Sequence, residues 1–163
     1  MSHALEVWLK STKLSWFVTN YPWVWPTCET LHFIGLAMLV GTVGALDLRI
    51  LGVAKGLPIA PMHRLVRWGV AGFIINVITG IFFFVGTPYQ YLGNIGFYFK
   101  MLFILLAGVN VLVFYLTVFR KVEMLEPGED APMSAKVIAV VSLFLWLGVM
   151  YFGRMLPYFG NAF

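Results

Sequence analysis

The sequence predicts an all-α integral membrane protein, a four-helix bundle with an N-terminal amphipathic interfacial helix. Of its 163 residues, 61% are hydrophobic and 11% are charged, whereas soluble domains carry about 25% charged residues. The mean hydropathy is +0.88. The apolar residues also form four long segments, and a membrane-spanning helix needs about 20 such residues. These segments and their loops predict a single transmembrane domain over residues 1–163.

The interfacial helix is predicted at residues 2–18, where apolar and polar side chains alternate with helical spacing. The apolar set is Leu5, Trp8, Leu9 and Trp16, and the polar set is His3, Glu6, Lys10 and Lys13. A short helix with two such faces is suited to lie in the plane of the membrane surface.

The four spans are predicted at residues 27–51, 65–85, 97–119 and 135–153. Glycine, proline and polar residues mark the loops between them. Small residues are spaced four apart in the first span at Ala37, Gly41 and Ala45, and Gly69 and Gly72 lie together in the second. Such faces allow helices to approach closely. Contacts within the bundle and contacts between copies both remain open.

The distribution of Lys and Arg predicts the orientation, because loops rich in these residues stay in the cytoplasm. The first and third loops hold Arg49, Lys55, Arg64, Arg67, Arg120, Lys121 and Lys136, whereas the other side holds Lys10, Lys13, Lys100 and Arg154. Tyrosine and tryptophan residues near the second set indicate an aromatic belt. Both termini are therefore expected in the periplasm of a bacterial inner membrane.

His32 is an ionisable residue inside the first span, roughly 10 Å from its midpoint at 1.5 Å per residue. Such a residue in a membrane requires a partner or a function. Cys28 and Glu29 precede it by four and three positions, so the three project from adjoining positions on the helix. A structural His32 bonded to Glu29 or to a neighbouring carbonyl is one interpretation. A ligand site is the other.

A haem b site is the specific form of the second interpretation. Haem needs one or two imidazoles for its iron and cationic groups for its propionates. Lys100 and Arg154 are predicted near the depth of His32, with Phe82, Phe83, Phe103 and Tyr151 at similar heights. His63 is roughly 28 Å away along the membrane normal and cannot share the iron. His3, Met150, Met155, an open position or His32 of a second copy remain as the sixth ligand.

Other polar residues are predicted at mid-membrane depth. They are Thr42, Asn76, Asn110 and Ser142. Hydrogen bonds between helices are the first interpretation, and a conduit for a proton, metal or small solute is the second. Asp47 is expected to form a salt bridge with Arg64 or Arg67, although it could also line an inner exit. His63 is expected to contact solvent or lipid headgroups.

Several function classes are not indicated. Lys and Arg form no run or stripe typical of a nucleic-acid surface, and the single cysteine, Cys28, cannot form an intrachain disulfide. No nucleophile and base pair, phosphate loop or nucleotide motif is present. Independent catalytic activity is therefore not predicted.

The chain resembles a bacterial four-helix inner-membrane family known only as a domain of unknown function. The likeness rests on ETLHFIG at 29–35, LDLR at 46–49, TGIFF at 79–83, FYFK at 97–100 and FGR at 152–154. It supports the fold and draws attention to His32, Lys100 and Arg154. A weaker likeness, to CopD-type copper-resistance membrane proteins, rests on a histidine early in an outer-facing helix.

Three hypotheses on function follow. The first is a haem b-binding redox or accessory electron-transfer subunit, with His32 as the iron ligand and Lys100 and Arg154 holding the propionates. The second is a permease or a metal-handling protein of the copper type. The third is a purely structural subunit of a larger membrane complex. The expected partners are the lipid bilayer and either a second copy or a larger complex, but not nucleic acid.

Overall fold

The computed structural model describes residues 2–159, with side chains from residue 3, and every regular element in that range is an α-helix. In chain order these are α1 Ser2–Lys10, α2 Lys13–Asn20, α3 Val24–Leu51, α4 Ile59–Arg64, α5 Val66–Gly86, α6 Tyr89–Leu92, α7 Ile95–Thr117, α8 Phe119–Glu123 and α9 Met133–Phe159. Four stretches are long and apolar enough to cross a membrane, namely Val24–Leu51, Ile59–Gly86, Ile95–Thr117 and Met133–Phe159. The predicted fold class is confirmed.

The predicted helix over residues 2–18 is divided into α1 and α2. Thr12 caps α2, and its Oγ1 accepts a hydrogen bond from Ser15 N at 3.2 Å. The Ser11 hydroxyl donates to Trp8 O at 2.7 Å. Side chains of this type compete with the helical hydrogen bonds and end the helix. Beyond the break, Val18 is buried in a cluster with Val24 at the start of α3, so α2 is docked on the bundle.

Helices α3 and α9 are longer than the spans predicted for them. Helix α3 begins at Val24 rather than at residue 27, because Pro26 lies in the first turn, where no backbone N–H is required. Helix α9 continues to Phe159 rather than ending at residue 153, and it includes Pro157. Pro157 stands so close to the end that few hydrogen bonds of the helix are lost.

The long helices pack as two pairs. Helix α3 packs closely on α5, α7 packs closely on α9, and α3 also contacts α9, whereas α5 and α7 are not packed along their length. We call the end of the bundle with Trp25, Tyr91 and Phe97 the aromatic end, and the end with Arg49 and Arg64 the basic end. Helices α3 and α7 run from the aromatic end to the basic end, and α5 and α9 run back.

Glycine residues bring α3 and α5 together. A Cβ atom at Gly35 would lie 2.7 Å from Gly72 O, and one at Gly72 would lie 2.9 Å from Met38 Cβ. A Cβ atom at Gly69 would collide with the Thr42 hydroxyl. The prediction that Gly69 and Gly72 form a packing face is therefore confirmed, although their partner on α3 is the surface around Gly35.

The other predicted small-residue face is not inside the bundle. Ala37, Gly41 and Ala45 are all exposed, and a Cβ atom at Gly41 would have no neighbour within 4 Å. The prediction of contacts within the bundle is thus wrong for this face, because α3 is rotated so that Gly35 and Leu39 face inward instead.

Arg49 organises the basic end. Its side chain is 1% exposed, and its Nε donates to Leu57 O at 2.7 Å while Nη1 donates to Glu129 O at 3.4 Å. These carbonyls belong to the loop after α3 and to the loop before α9. One guanidinium thus joins two loops that are distant in sequence.

Asp130 joins the same two regions at the surface. Its carboxylate pairs with Lys55 at 2.7 Å and with Lys136 at 2.9 Å, and the hydrogen bonds from these two lysines lower the pKa of Asp130 to about 2. A carboxyl of depressed pKa stabilises the fold above its unfolded pKa of about 3.9, and that contribution is lost as the pH falls through about 2.

We therefore expect Asp130→Asn to lower the melting temperature at neutral pH, and the difference from the wild type to vanish near pH 2. Thermal unfolding of both proteins in detergent, from neutral pH down to about pH 2, measures this difference in melting temperature. Glu123→Gln is the control, since Glu123 is exposed and takes part in no ion pair of the described side chains. A difference between Asp130→Asn and the wild type that is independent of pH would contradict the assignment.

Candidate functional site

His32 is held by a hydrogen bond to α5. Its Nδ1 lies 2.7 Å from Thr79 Oγ1, and the Thr79 hydroxyl donates its own proton to Ile75 O at 2.8 Å. A hydroxyl has a single proton to donate. When Thr79 gives that proton to Ile75 O, Nδ1 carries the ring proton and donates to Thr79, and the lone pair on Nε2 can bind a metal or accept a proton. When Asn76 Nδ2, 3.3 Å away, donates to Nδ1, the ring proton is on Nε2 instead.

Asn76 supports the backbone that carries His32. In the amide orientation that satisfies its neighbours, Asn76 Nδ2 donates to His32 O at 2.7 Å and lies 3.3 Å from His32 Nδ1, and Oδ1 accepts from Leu36 N at 3.0 Å. The amide thus bridges one turn of α3 beside Gly35. A hydrogen bond between helices, the first interpretation of Asn76, is confirmed.

The residues that precede His32 do not form a site with it. Glu29 is exposed and accepts a hydrogen bond from Trp25 Nε1 at 3.1 Å, and Cys28 is buried with Val18 and Val24. The expectation that Glu29 or a carbonyl is the partner of His32 is wrong, because Thr79 takes that place. Phe83 packs against the imidazole with 5.6 Å between ring centroids.

Lys100 approaches His32 from the other helix pair. Its side chain is half-buried and lies over Gly153 of α9, where a Cβ atom would be 3.7 Å from Nζ. Its charge acts electrostatically on His32. Among the side chains and carbonyls that the structure describes, none accepts a hydrogen bond from this ammonium group. Lys100 is thus within electrostatic range of His32, and its role at the site stays a prediction.

The remaining predicted site residues are more dispersed. Arg154 is exposed, as are His3 and Tyr151, so a role for Arg154 at the site stays a prediction. Phe82 packs on the cluster below α2, and Phe103 packs on the centre of the bundle. Of the aromatic residues predicted to surround the site, Phe83 is the one whose ring packs against His32.

A second polar group lies at the basic end, around Asp47. The carboxylate is 7% exposed, and Oδ2 has no hydrogen-bond partner. Neither Arg64 nor Arg67 pairs with it, since both are exposed. The predicted salt bridge is wrong, because the rotation of α3 directs Asp47 into the bundle, towards Ser142 of α9.

Asp47 lines a cavity of about 60 Å³ between the four long helices. Asn110, Tyr115 and Ser142 also line it. Asn110 Nδ2 donates across to Ile138 O at 3.2 Å, which confirms a helix-to-helix hydrogen bond there. We call this space the basic-end cavity.

His63 is attached to the same region. Its Nε2 lies 2.8 Å from the Tyr115 hydroxyl, and its ring packs on Phe119 with 4.7 Å between centroids. The side chain is half-exposed. The predicted contact with solvent or headgroups is therefore only part of its environment, because His63 also forms a hydrogen bond with Tyr115, which lines the cavity.

An apolar layer separates the two polar groups. It consists of Leu39, Ala107, Leu145, Trp146 and Val149. On the aromatic side lie His32 and Asn76, and on the basic side lie Asn110 and Ser142. The Thr42 hydroxyl donates to Met38 O of its own helix. The four polar residues predicted as one layer are thus divided between two places.

Side chains that bind metals directly are scattered. Within the range that the structure describes, no three His, Cys, Asp or Glu side chains come together. A metal centre built from protein ligands alone therefore has no counterpart among these residues, whereas a cofactor that brings its own ligands needs only one imidazole.

Sequence reasoning missed Thr79, Asn76 as the support of His32, and Tyr115. Thr79 is the first residue of the TGIFF motif, and that motif is the only feature of the sequence that pointed to it. The others depend on which helix faces which, and a single sequence does not contain this information.

Comparisons with curated proteins and with solved structures returned no match, so the likeness to copper-resistance proteins finds no support there. A family of unknown function, DUF6644, matches residues 5–159. This covers nearly the whole chain and confirms the resemblance to a family of unknown function. The protein belongs to the DUF6644 family.

Proposed function

We propose that the protein is a small subunit that binds haem b in the aromatic half of the bundle and serves electron transfer in a bacterial inner membrane. The observation that carries the proposal is the hydrogen bond between His32 Nδ1 and Thr79 Oγ1. Histidines that bind metals almost always donate their other ring N–H to a fixed acceptor, which sets the tautomer and the ring orientation. The proposal assigns the ring proton of His32 to Nδ1, so that Thr79 is this acceptor and Nε2 has the lone pair that binds iron.

The chain also supplies a countercharge. Lys100 is near His32, has no hydrogen-bond acceptor among the described residues, and belongs to the opposite helix pair. An ammonium group half-buried in this way favours an anionic partner, for which a propionate is suited. We assign Arg154, at the exposed surface nearby, as a second cation that closes over the propionates.

The surroundings are compatible with a flat apolar group. Phe83 stands beside the imidazole, and α5 and α7 are not packed on each other, so the macrocycle would enter between them. When bound, haem supplies one-electron chemistry at its iron. His32 binds and orients the group, Lys100 holds its acidic edge, and the apolar layer below excludes water.

The proposal includes the orientation and the partners. The excess of Lys and Arg in the first and third loops supports a cytoplasmic basic end and a periplasmic aromatic end. The exposed face with Ala37, Gly41 and Ala45 supports an association with a second copy or with a larger membrane complex. A permease is less well supported, because the apolar layer interrupts the polar residues that a conduit would need.

The experiment is an absorption spectrum with iron analysis of detergent-purified protein from haem-replete cells. We expect a Soret band that is lost in His32→Ala and retained in His63→Ala. Thr79→Val should keep the band but weaken haem affinity by about 10- to 100-fold, because the imidazole loses its orienting partner. Thr42→Val is the matched control, since Thr42 bonds only its own helix.

Two outcomes would overturn the proposal. Wild-type protein that is colourless and free of iron would exclude haem, and a structural or transport role would take its place. Full absorbance in His32→Ala would move the ligand to another residue. Co-purification of partner subunits with colourless protein would favour the purely structural role.

A further inference from the structure

The basic-end cavity has properties that the haem proposal does not use. Its volume of about 60 Å³ is enough to hold water, since one molecule needs roughly 10–15 Å³ of such space. Asp47 and Ser142 face it from α3 and α9, and Asn110 and Tyr115 face it from α7. Most of the cavity wall is apolar, so water there depends on the few polar groups, of which Asp47 Oδ2 has no partner within the protein.

Asp47 is the group that the cavity leaves unsatisfied. The side chain is 93% buried, from the exposed fraction of 7%, and Oδ2 has no partner. An ionised carboxylate without a partner is costly inside a membrane, and such residues commonly mark ion or proton pathways. The carboxyl therefore needs either a proton or a cation from outside the bundle.

The nearby cations do not neutralise Asp47. Arg49 bonds the carbonyls of Leu57 and Glu129 through Nε and Nη1, while its buried Nη2 has no hydrogen-bond partner, and Lys136 pairs with Asp130. Near the basic end, the titratable and charged groups on the elements around Asp47 are Arg49 on α3, His63 and Arg64 on α4, Arg67 on α5, Tyr115 on α7, Arg120, Lys121 and Glu123 on α8, and Lys136 on α9. Towards the aromatic end the same long helices carry Cys28, Glu29 and His32 on α3, Tyr98 and Lys100 on α7, and Tyr151, Arg154 and Tyr158 on α9. None of them forms an ion pair with Asp47.

Among the described residues, a hydrogen-bonded path reaches the border of the cavity from the basic end. His63 is half-exposed there, and its Nε2 is 2.8 Å from the Tyr115 hydroxyl, which borders the cavity. On the other side the apolar layer with Leu39 and Trp146 closes the route towards His32. This path leads towards Asp47 from the side of His63.

We propose that the basic-end cavity is a water-filled proton-binding site, in which Asp47 takes up a proton from the basic end through His63 and Tyr115. A proton from solvent binds His63 and is passed from Nε2 to the Tyr115 oxygen. Tyr115 gives its own hydroxyl proton to a cavity water, and that water protonates Asp47 Oδ2. One proton enters and one carboxyl is formed, with no change in oxidation state.

The first test uses the wild-type chain in liposomes and dicyclohexylcarbodiimide, an apolar reagent that attacks protonated carboxyls in membranes. We expect mass spectrometry to find the label on Asp47 and to find less of it as the pH rises. Glu29 is the internal control, because it lies in the same helix but is exposed. Absence of label on Asp47 at every pH would overturn the proposal. Protection by Na⁺ at constant pH would also overturn it, in favour of a cation site.

The second test is infrared spectroscopy of the protonated carboxyl band, which should disappear in Asp47→Asn and persist in Glu29→Gln. On transfer to D₂O, His63→Ala and Tyr115→Phe should keep the band but slow its deuterium shift by about tenfold or more, as loss of a proton-transfer group does. Exchange at the wild-type rate in both variants would exclude the path. A band that survives in Asp47→Asn would exclude the site. Neither test depends on haem.

Discussion

Alanine at Gly72 is expected to destabilise the protein strongly, by about 3 kcal/mol. The new Cβ would collide with Gly35 O and lie 3.0 Å from Leu39 N. Both atoms belong to the backbone of α3, so no side chain can move aside to make room. The closest helix pair would have to separate, and the packing that replaces the hydrophobic effect within a membrane would be lost.

Gly80→Ala is the matched control for this prediction. Gly80 lies on the same helix, and a Cβ atom there would have no neighbour within 4 Å. Because alanine is the better helix former by about 1 kcal/mol, this variant should be as stable as the wild type or more stable. Thermal unfolding of both variants in one detergent measures the difference. Equal melting temperatures would mean that the close contact of α3 and α5 does not contribute to stability.

Arg49→Met is expected to cost about 3 kcal/mol, because two hydrogen bonds from a charged donor are removed at a buried site. The carbonyls of Leu57 and Glu129 would lose their donor, and the loops they belong to would lose their common anchor. Arg49→Lys should recover little, since an ammonium group lacks the planar fork that reaches both carbonyls.

Arg67→Met is the control for this second prediction. Arg67 is exposed, and its guanidinium lies over the Trp68 ring at 5.9 Å. Chemical denaturation, with proteolysis of the loop around Glu129 as a local readout, separates global from local effects. If Arg49→Met and Arg67→Met unfold alike and are cleaved alike, Arg49 does not anchor the loops.

The depth of each residue could be predicted from the sequence, whereas the rotation of each helix could not. Hydropathy placed the four spans, and depth alone brought His32 and Lys100 to the same level. Lipid is as apolar as the core, so the apolar pattern of a span does not reveal which face is buried. The errors on Asp47 and on the face with Gly41 are both errors of rotation about α3.

The partners of the site residues depend on the register between helices, which is a second kind of missing information. Thr79 meets His32 only because α5 runs antiparallel to α3 at the distance that Gly35 and Gly72 allow. Sequence reasoning looked for the partner of His32 on its own helix, at Glu29. Local spacing is reliable within one helix, but the chemistry of this protein lies between helices.

The two helix pairs are also consecutive in sequence, so the protein is two hairpins joined by residues 87–94. His32 and Asp47 belong to the first hairpin, while Lys100, Asn110 and Ser142 belong to the second. Each of the two polar groups therefore has members on both hairpins and lies across the interface between them. A rotation of one hairpin against the other changes the distance from His32 to Lys100 and the width of the basic-end cavity together, although the apolar layer keeps the two places chemically apart.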